Sequence, residues 1–239
     1  MMTTALIFAG GTGQRMNSRA KPKQFLELHG KPVIIYTLEH FEMHPEVDSI
    51  VVVCLEGWIS ELRHLLRQYA IEKISSIVPG GDGGDKSIYC GLKVLADICK
   101  PDDIVLIHDG VRPLISAQLI SANIAKAAQF GNAITVEHVS ESIVRLDSGK
   151  RVTDVPPRQE MFLAKAPQSF RFGDIWELYQ RAQLDGLRTI DSAHLCSVYG
   201  IEMHTVMSTP NNLKITAPAD YYIFRALFEA MENEQILGI

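Results

Sequence analysis

Thr4-Ala5-Leu6-Ile7-Phe8 runs directly into Ala9-Gly10-Gly11-Thr12-Gly13-Gln14-Arg15-Met16. The first part is short, apolar and β-prone, so it reads as a buried first strand. Glycines directly after a strand let backbone N–H groups approach an anion, because no Cβ stands in the way. Lys21-Pro22-Lys23-Gln24-Phe25 follows in the same loop. Arg15 and Lys23 add fixed positive charge to the N–H cradle. A strand, a cradle and two cations together read as a polyphosphate site.

Two familiar phosphate motifs fail on spacing. A dinucleotide fingerprint needs G-x-G-x-x-G, and Met16 stands where the third glycine belongs. Gly80-Gly81-Asp82-Gly83-Gly84-Asp85-Lys86-Ser87 approaches a P-loop, but Asp85 occupies the last glycine position, and a carboxylate there would repel a phosphate.

Outward from the first strand, strand-like and helix-like segments alternate. Helical spacing covers Val33 to Phe41, Ile59 to Tyr69, Ser87 to Ile98 and Ala117 to Phe130. Ser49 to Cys54, Ile74 to Val78, Ile104 to Ile107 and Ala133 to Val136 read as strands, the apolar runs among them as strands covered on both faces. This order implies a parallel sheet with right-handed crossovers. Residues from about 138 to 162 break the rhythm. Ser142 to Arg145, a turn at Asp147-Ser148-Gly149 and Arg151 to Thr153 predict an inserted hairpin, ended by Pro156-Pro157. Two more helices, a strand over Glu202 to Met207 and a last helix from Ala219 to about Glu232 complete the chain. No linker or repeat is evident, so residues 1–239 read as one domain carrying an arm.

The chain has 239 residues, 46% hydrophobic and 21% charged, enough for a substantial core. A net charge of -5 with scattered basic residues argues against nucleic acid as a partner. No apolar run approaches the ~20 residues that span a bilayer, and no signal peptide is indicated. Four cysteines lie far apart with no C-x-x-C, and Cys54 and Cys90 read as buried thiols. That usage suits the cytoplasm. His40 and His44 have a zinc-like spacing, but no third ligand is evident, so they read as an exposed helical face.

The chain resembles the cytidylyltransferases that make CDP-linked polyols. The likeness rests on the glycine turn, Pro22-Lys23-Gln24, Gly80-Gly81-Asp82 with Ser87, His108-Asp109-Gly110-Val111-Arg112-Pro113, Ala166-Pro167-Gln168 and Asn212-Leu213-Lys214-Ile215. It implies a Rossmann-like three-layer α/β/α sandwich of the nucleotide-diphospho-sugar transferase type, with a mostly parallel sheet. It implies CTP and a small polyol phosphate as partners, Mg²⁺ as cofactor, and a homodimer locked by the arm. Arg15, Lys23 and Lys214 become the expected catalytic cations. Ala9, Gly10, Gly11, Thr12, Gly13, Gly81, Asp82 and Ser87 become the nucleotide contacts, although Ser87 also reads as a plain helix N-terminal residue. Asp109, Arg112, Arg158 and Asp191 fall on acceptor positions, with Asp109 also a candidate Mg²⁺ ligand. Arg112 reads equally as a brace for Asp109. Two positions depart from the pattern. Gly83-Gly84 stands where an arginine is usual, and Ala166 where threonine commonly precedes Pro-Gln.

The implied chemistry needs no general base, since the attacking phosphate is already an anion. Catalysis reduces to aligning two polyanions and neutralising charge. Ribitol 5-phosphate is the favoured acceptor, on Glu56-Gly57-Trp58-Ile59 and the wording of the Asp109 motif. The branch that uses 2-C-methyl-D-erythritol 4-phosphate more often has two alanines after the aspartate. A non-catalytic nucleotide binder and a sugar-1-phosphate nucleotidyltransferase are the other readings.

Overall fold

A computed structural model describes residues 1–11 and 21–237. The first strand is β1 (Thr3–Ala9). The chain resumes at Lys21 and makes a 3-10 turn at Lys23–Phe25. A two-residue-per-strand hairpin, β2 (Glu27–Leu28) and β3 (Lys31–Pro32), leads into α1 (Val33–Glu42). Then come β4 (Ser49–Cys54), α2 (Ile59–Gln68), β5 (Ile74–Pro79), α3 (Gly84–Leu95), β6 (Ile104–Asp109) and α4 (Ala117–Phe130). After β7 (Asn132–His138) the arm hairpin is β8 (Arg145–Leu146) and β9 (Val152–Asp154). β10 (Phe162–Arg171), α5 (Phe172–Leu184), α6 (Ser192–Val198), β11 (Thr205–Met207) and α7 (Pro218–Leu237) finish the chain.

Seven strands form one sheet in the order β11-β7-β10-β6-β1-β4-β5. β1 pairs in parallel with β4 and β6, β4 with β5, and β7 with β11. Only β10 runs against its neighbours. All six residues of β4 and all six of β6 are buried, which is why both read as unbroken apolar runs.

Alternate side chains of each strand feed two cores. Ala5, Ile7, Ile50, Val52 and Leu106 pack under α1, α2 and α4. Leu6, Val51, Val53, Val105 and Ile107 pack under α3, α5 and α6. The sheet is therefore the middle of the α/β/α sandwich the sequence implies. From β1 through β5 the helices lie on one face, and the return from β5 to β6 carries α3 on the other, as crossovers of one hand require. α7 closes a third cluster with Leu28, Val33, Tyr36, Val111, Leu114 and Ile215.

Local signals fix several ends. Ser116 caps α4 by accepting from the Leu119 amide at 3.2 Å, and Gly131 ends it with φ 90°. The helix predicted over Ser87 to Ile98 instead runs from Gly84 to Leu95, so Ser87 lies inside its first turn. β9 stops at Asp154, two residues before Pro156.

β10 has no counterpart among the predicted strands. Pro167 removes a donor and shifts its register on β7 between Ala164 and Gln168. Buried polar groups carry it instead. The Thr135 hydroxyl donates to the Pro167 carbonyl at 2.6 Å, and Ser169 donates to Asn123 of α4 at 3.2 Å.

His40 and His44 are not an exposed face. The His40 ring meets the Pro113 carbonyl at 3.0 Å. His44 is 3% exposed and meets the Ala117 carbonyl at 3.2 Å. Both tie the first helical layer to the segment after β6.

Candidate active site

The carboxyl ends of β1, β4, β5 and β6 open into one cleft of about 490 Å³, the usual position for a site in an open parallel sheet. Its lining includes Ala9, Gly10, Gly11, Lys23, Gly81, Asp82, Ser87, Asp109 and Lys214. Thr12, Gly13 and Arg15 lie outside the described residues.

The floor is made by close backbone approach. A Cβ on Gly10 would stand 2.9 Å from the Ser87 Oγ, and one on Gly80 would stand 3.0 Å from the same atom. The Ser87 hydroxyl donates to the Gly83 carbonyl at 2.8 Å. Ser87 thus knots the first glycine turn to the second while lining the cleft. α3 starts at Gly84, in the cleft lining, which brings the positive end of its dipole to this space.

Lys23 is placed by its neighbours. Phe25 is fully buried and stacks on Trp58 with centroids 4.6 Å apart. Gln24, 1% exposed, donates to the Ala9 carbonyl at 2.6 Å and so holds the end of β1. With these two anchored, the Lys23 ammonium reaches the Ile215 carbonyl at 3.0 Å. Lys21 is paired with Glu27 instead and does not line the cleft.

At the end of β6, also in the lining, Asp109 is 4% exposed. Arg112 Nε donates to its Oδ2 at 2.7 Å, and Lys214 Nζ meets its Oδ1 at 2.6 Å. Burial by itself would raise this carboxyl. The two cations outweigh burial and hold it well below the usual carboxylate range. Arg112 also donates to the Asn212 carbonyl at 2.9 Å and does not line the cleft. It braces Asp109. Asn212 is fully buried and donates to the Ala166 carbonyl at 2.6 Å. Lys214 is therefore no loose surface residue. His108 is packed against Phe41 at 5.1 Å, and burial pushes it down to about 3, so its ring is neutral at neutral pH.

Two expected acceptor residues lie away from the cleft lining. Asp191 caps α6, accepting from the His194 amide at 2.8 Å, and accepts from Gln168 at 3.1 Å. Arg158 sits exposed at the base of the arm and donates to the Ser140 carbonyl at 3.3 Å. Sequence reasoning did not single out Gln24, Gln168 or Asn212 beyond their motifs, and it missed Arg188. Arg188 fills part of the gap left at Gly83-Gly84. From a loop beyond α5 it donates to the Asp82 carbonyl at 3.0 Å and pairs with Asp85 at 2.6 Å.

Sequence and fold together match one group of known proteins. The family model described as 2-C-methyl-D-erythritol 4-phosphate cytidylyltransferase matches residues 3–230. The chain belongs to this cytidylyltransferase family. Within it, a ribitol-5-phosphate cytidylyltransferase of Vibrio parahaemolyticus is 46% identical, over 99% of this chain and 100% of that protein. One of Streptococcus agalactiae is 42% identical over 100% of both. A 2-C-methyl-D-erythritol 4-phosphate cytidylyltransferase of Geotalea uraniireducens is 36% identical over 98% and 100%. The crystal structure of 4-diphosphocytidyl-2C-methyl-D-erythritol synthase from Anaerococcus prevotii superposes with a TM-score of 0.83. It is 25% identical and covers 95% of this chain and 96% of that one.

The Asp109 pair carries a pH signature. Its folded-state value lies below the unfolded value of about 4. Its contribution to stability is therefore complete above that pH and fades as pH falls below it. Urea unfolding of wild type and Asp109→Asn should show a stability gap that is full near neutral pH and narrows below about pH 4. A gap independent of pH would mean that the charge on Asp109 is not what the pair contributes.

Proposed function

We propose that the chain transfers the cytidylyl group of CTP to D-ribitol 5-phosphate. An oxygen of the acceptor phosphate bonds to the α-phosphorus. The bond from that phosphorus to the bridging oxygen of the β-phosphate breaks, and pyrophosphate leaves with the electron pair. The observation that carries this reading is a glycine floor together with Lys23 and Lys214 in the lining of one cleft. Identity supports the acceptor, standing at 41–46% to four ribitol-named relatives, against 36% to the methylerythritol-named one and 34% to a fifth ribitol-named one.

Each part of the lining has a separate task. Backbone amides of Gly10, Gly11 and Gly81, with the start of α3, receive the phosphates. Lys23 and Lys214 neutralise charge that develops at the α-phosphorus. Asp82 and Ser87 face the nucleoside. Among the described residues no three metal-ligating side chains converge. Mg²⁺ would be carried mainly by the phosphates, with Asp109, whose two oxygens already meet Arg112 and Lys214, as the candidate protein ligand. When bound, Mg²⁺ would draw charge from the leaving pyrophosphate.

Pyrophosphate release with CTP and Mg²⁺ tests the reading, run with ribitol 5-phosphate and with 2-C-methyl-D-erythritol 4-phosphate. Release is expected with ribitol 5-phosphate. Release with the methylerythritol compound alone would overturn the acceptor, and release with neither would favour a non-catalytic nucleotide binder. Lys23→Ala should lower kcat about 100-fold, the scale of one lost transition-state donor, while keeping most CTP affinity.

The arm supports a homodimer. Val144, Leu146, Val152, Val155, Phe162 and Leu163 are all exposed, and an isolated hairpin of this kind is marginal in water. Joining through the arm would also allow Arg158 to serve an acceptor phosphate. The four cysteines are free thiols, which suits the cytoplasm. Sedimentation should give a dimer for wild type and a folded monomer for the Leu146→Glu, Val152→Glu variant. A wild-type monomer, or a dimer unaffected by the changes, would remove the arm from that role.

A further inference from the structure

The second glycine turn carries a carboxylate, Asp85, where a phosphate-binding loop would ordinarily have none. Asp85 lies in the first turn of α3 with its side chain 8% exposed. Arg188 meets it in a two-point contact, Nε to Oδ2 at 2.6 Å and Nη2 to Oδ1 at 3.1 Å. The same Nη2 donates to the Asp82 carbonyl at 3.0 Å. Burial would raise the Asp85 carboxyl. Arg188 and the amides of Lys86 and Thr189 reverse that and keep it ionised.

The turn is shaped around this guanidinium. Gly83 has φ 112°, a conformation side chains rarely adopt. A Cβ there would stand 2.7 Å from Arg188 Nη2 and 2.9 Å from Asp85 Oδ1. Gly83, Gly84 and Asp82 line the cleft. Arg188 reaches this turn from the α5–α6 loop, 103 residues beyond Asp85.

We propose that Arg188 is a positioning residue for the nucleotide. It fixes the Asp82–Gly84 turn in its binding form and cancels the Asp85 charge that would otherwise face the triphosphate. This rests on the reading of the cleft as a CTP site. It assigns to a distant loop the cation that Gly83-Gly84 cannot supply.

The test compares wild type, Arg188→Ala, Arg188→Lys and the double variant Arg188→Ala, Asp85→Asn. Pyrophosphate release is followed against each substrate, and CTP binding is measured by calorimetry without acceptor. Arg188→Ala should raise KM and Kd for CTP about tenfold, the scale of one charged hydrogen-bond pair, with KM for ribitol 5-phosphate and kcat changed far less. Arg188→Lys should recover part of the loss by charge alone. The double variant should recover part by removing the uncompensated carboxylate. Unchanged CTP affinity, or equal losses for both substrates, would overturn the proposal. Thermal melting separates a folding defect, and the double variant, which leaves no bare charge, keeps the comparison available. If wild type binds CTP but turns over neither acceptor, the proposed reaction fails while the calorimetry still decides the role of Arg188.

Discussion

Asp109 sits at the end of β6 with almost no access to water and with a cation on each oxygen. A buried carboxylate so placed is costly unless both charges and hydrogen bonds are matched. Matching it here organises a large part of the cleft. Arg112 answers one oxygen and reaches the carbonyl of Asn212. Asn212 in turn anchors on Ala166 in β10. The segment from Asn212 to Ile215 is thereby drawn across the mouth of the sheet. It presents Lys214 to the cleft from one residue and a carbonyl to Lys23 from the next. The two lysines are thus set by one buried anion and the strand that carries it.

The glycine floor depends on a different constraint, the absence of volume. Gly10 and Gly80 leave room for the Ser87 hydroxyl, and Gly83 leaves room for a guanidinium. Side chains at these points would push the first turn, the second turn and α3 apart. Their absence lets the turns and the start of α3 come together at the floor of the cleft. Cations from the walls and amides from the floor are complementary, since neither alone would balance a triphosphate and an acceptor phosphate together.

Strands β1, β4 and β6 were legible because burial on both faces leaves a continuous apolar run, which is a property of local sequence. The arm was legible from alternation and its turn residues. β10 was not, because Pro167, Gln168 and Ser169 weaken the strand pattern, and their partners Thr135, Asn123 and Asp191 lie on other elements. The same reason explains His40 and His44, whose carbonyl partners are 73 residues away. In the site, motif residues next to the glycines were legible, and so was Lys23. Arg112 could be read two ways until its guanidinium was placed against Asp109. Arg188 left no local trace, since a single arginine in a loop is ordinarily a solvated charge.

If Asp109 works by holding Lys214, removing either should damage one and the same arrangement. The direct measurement is a double-mutant cycle on turnover with CTP, using Asp109→Asn, Lys214→Ala and both together. The expected result is strong non-additivity, with the double variant no slower than the slower single one. Losses that simply multiply would contradict the account, since Asp109 and Lys214 would then act independently.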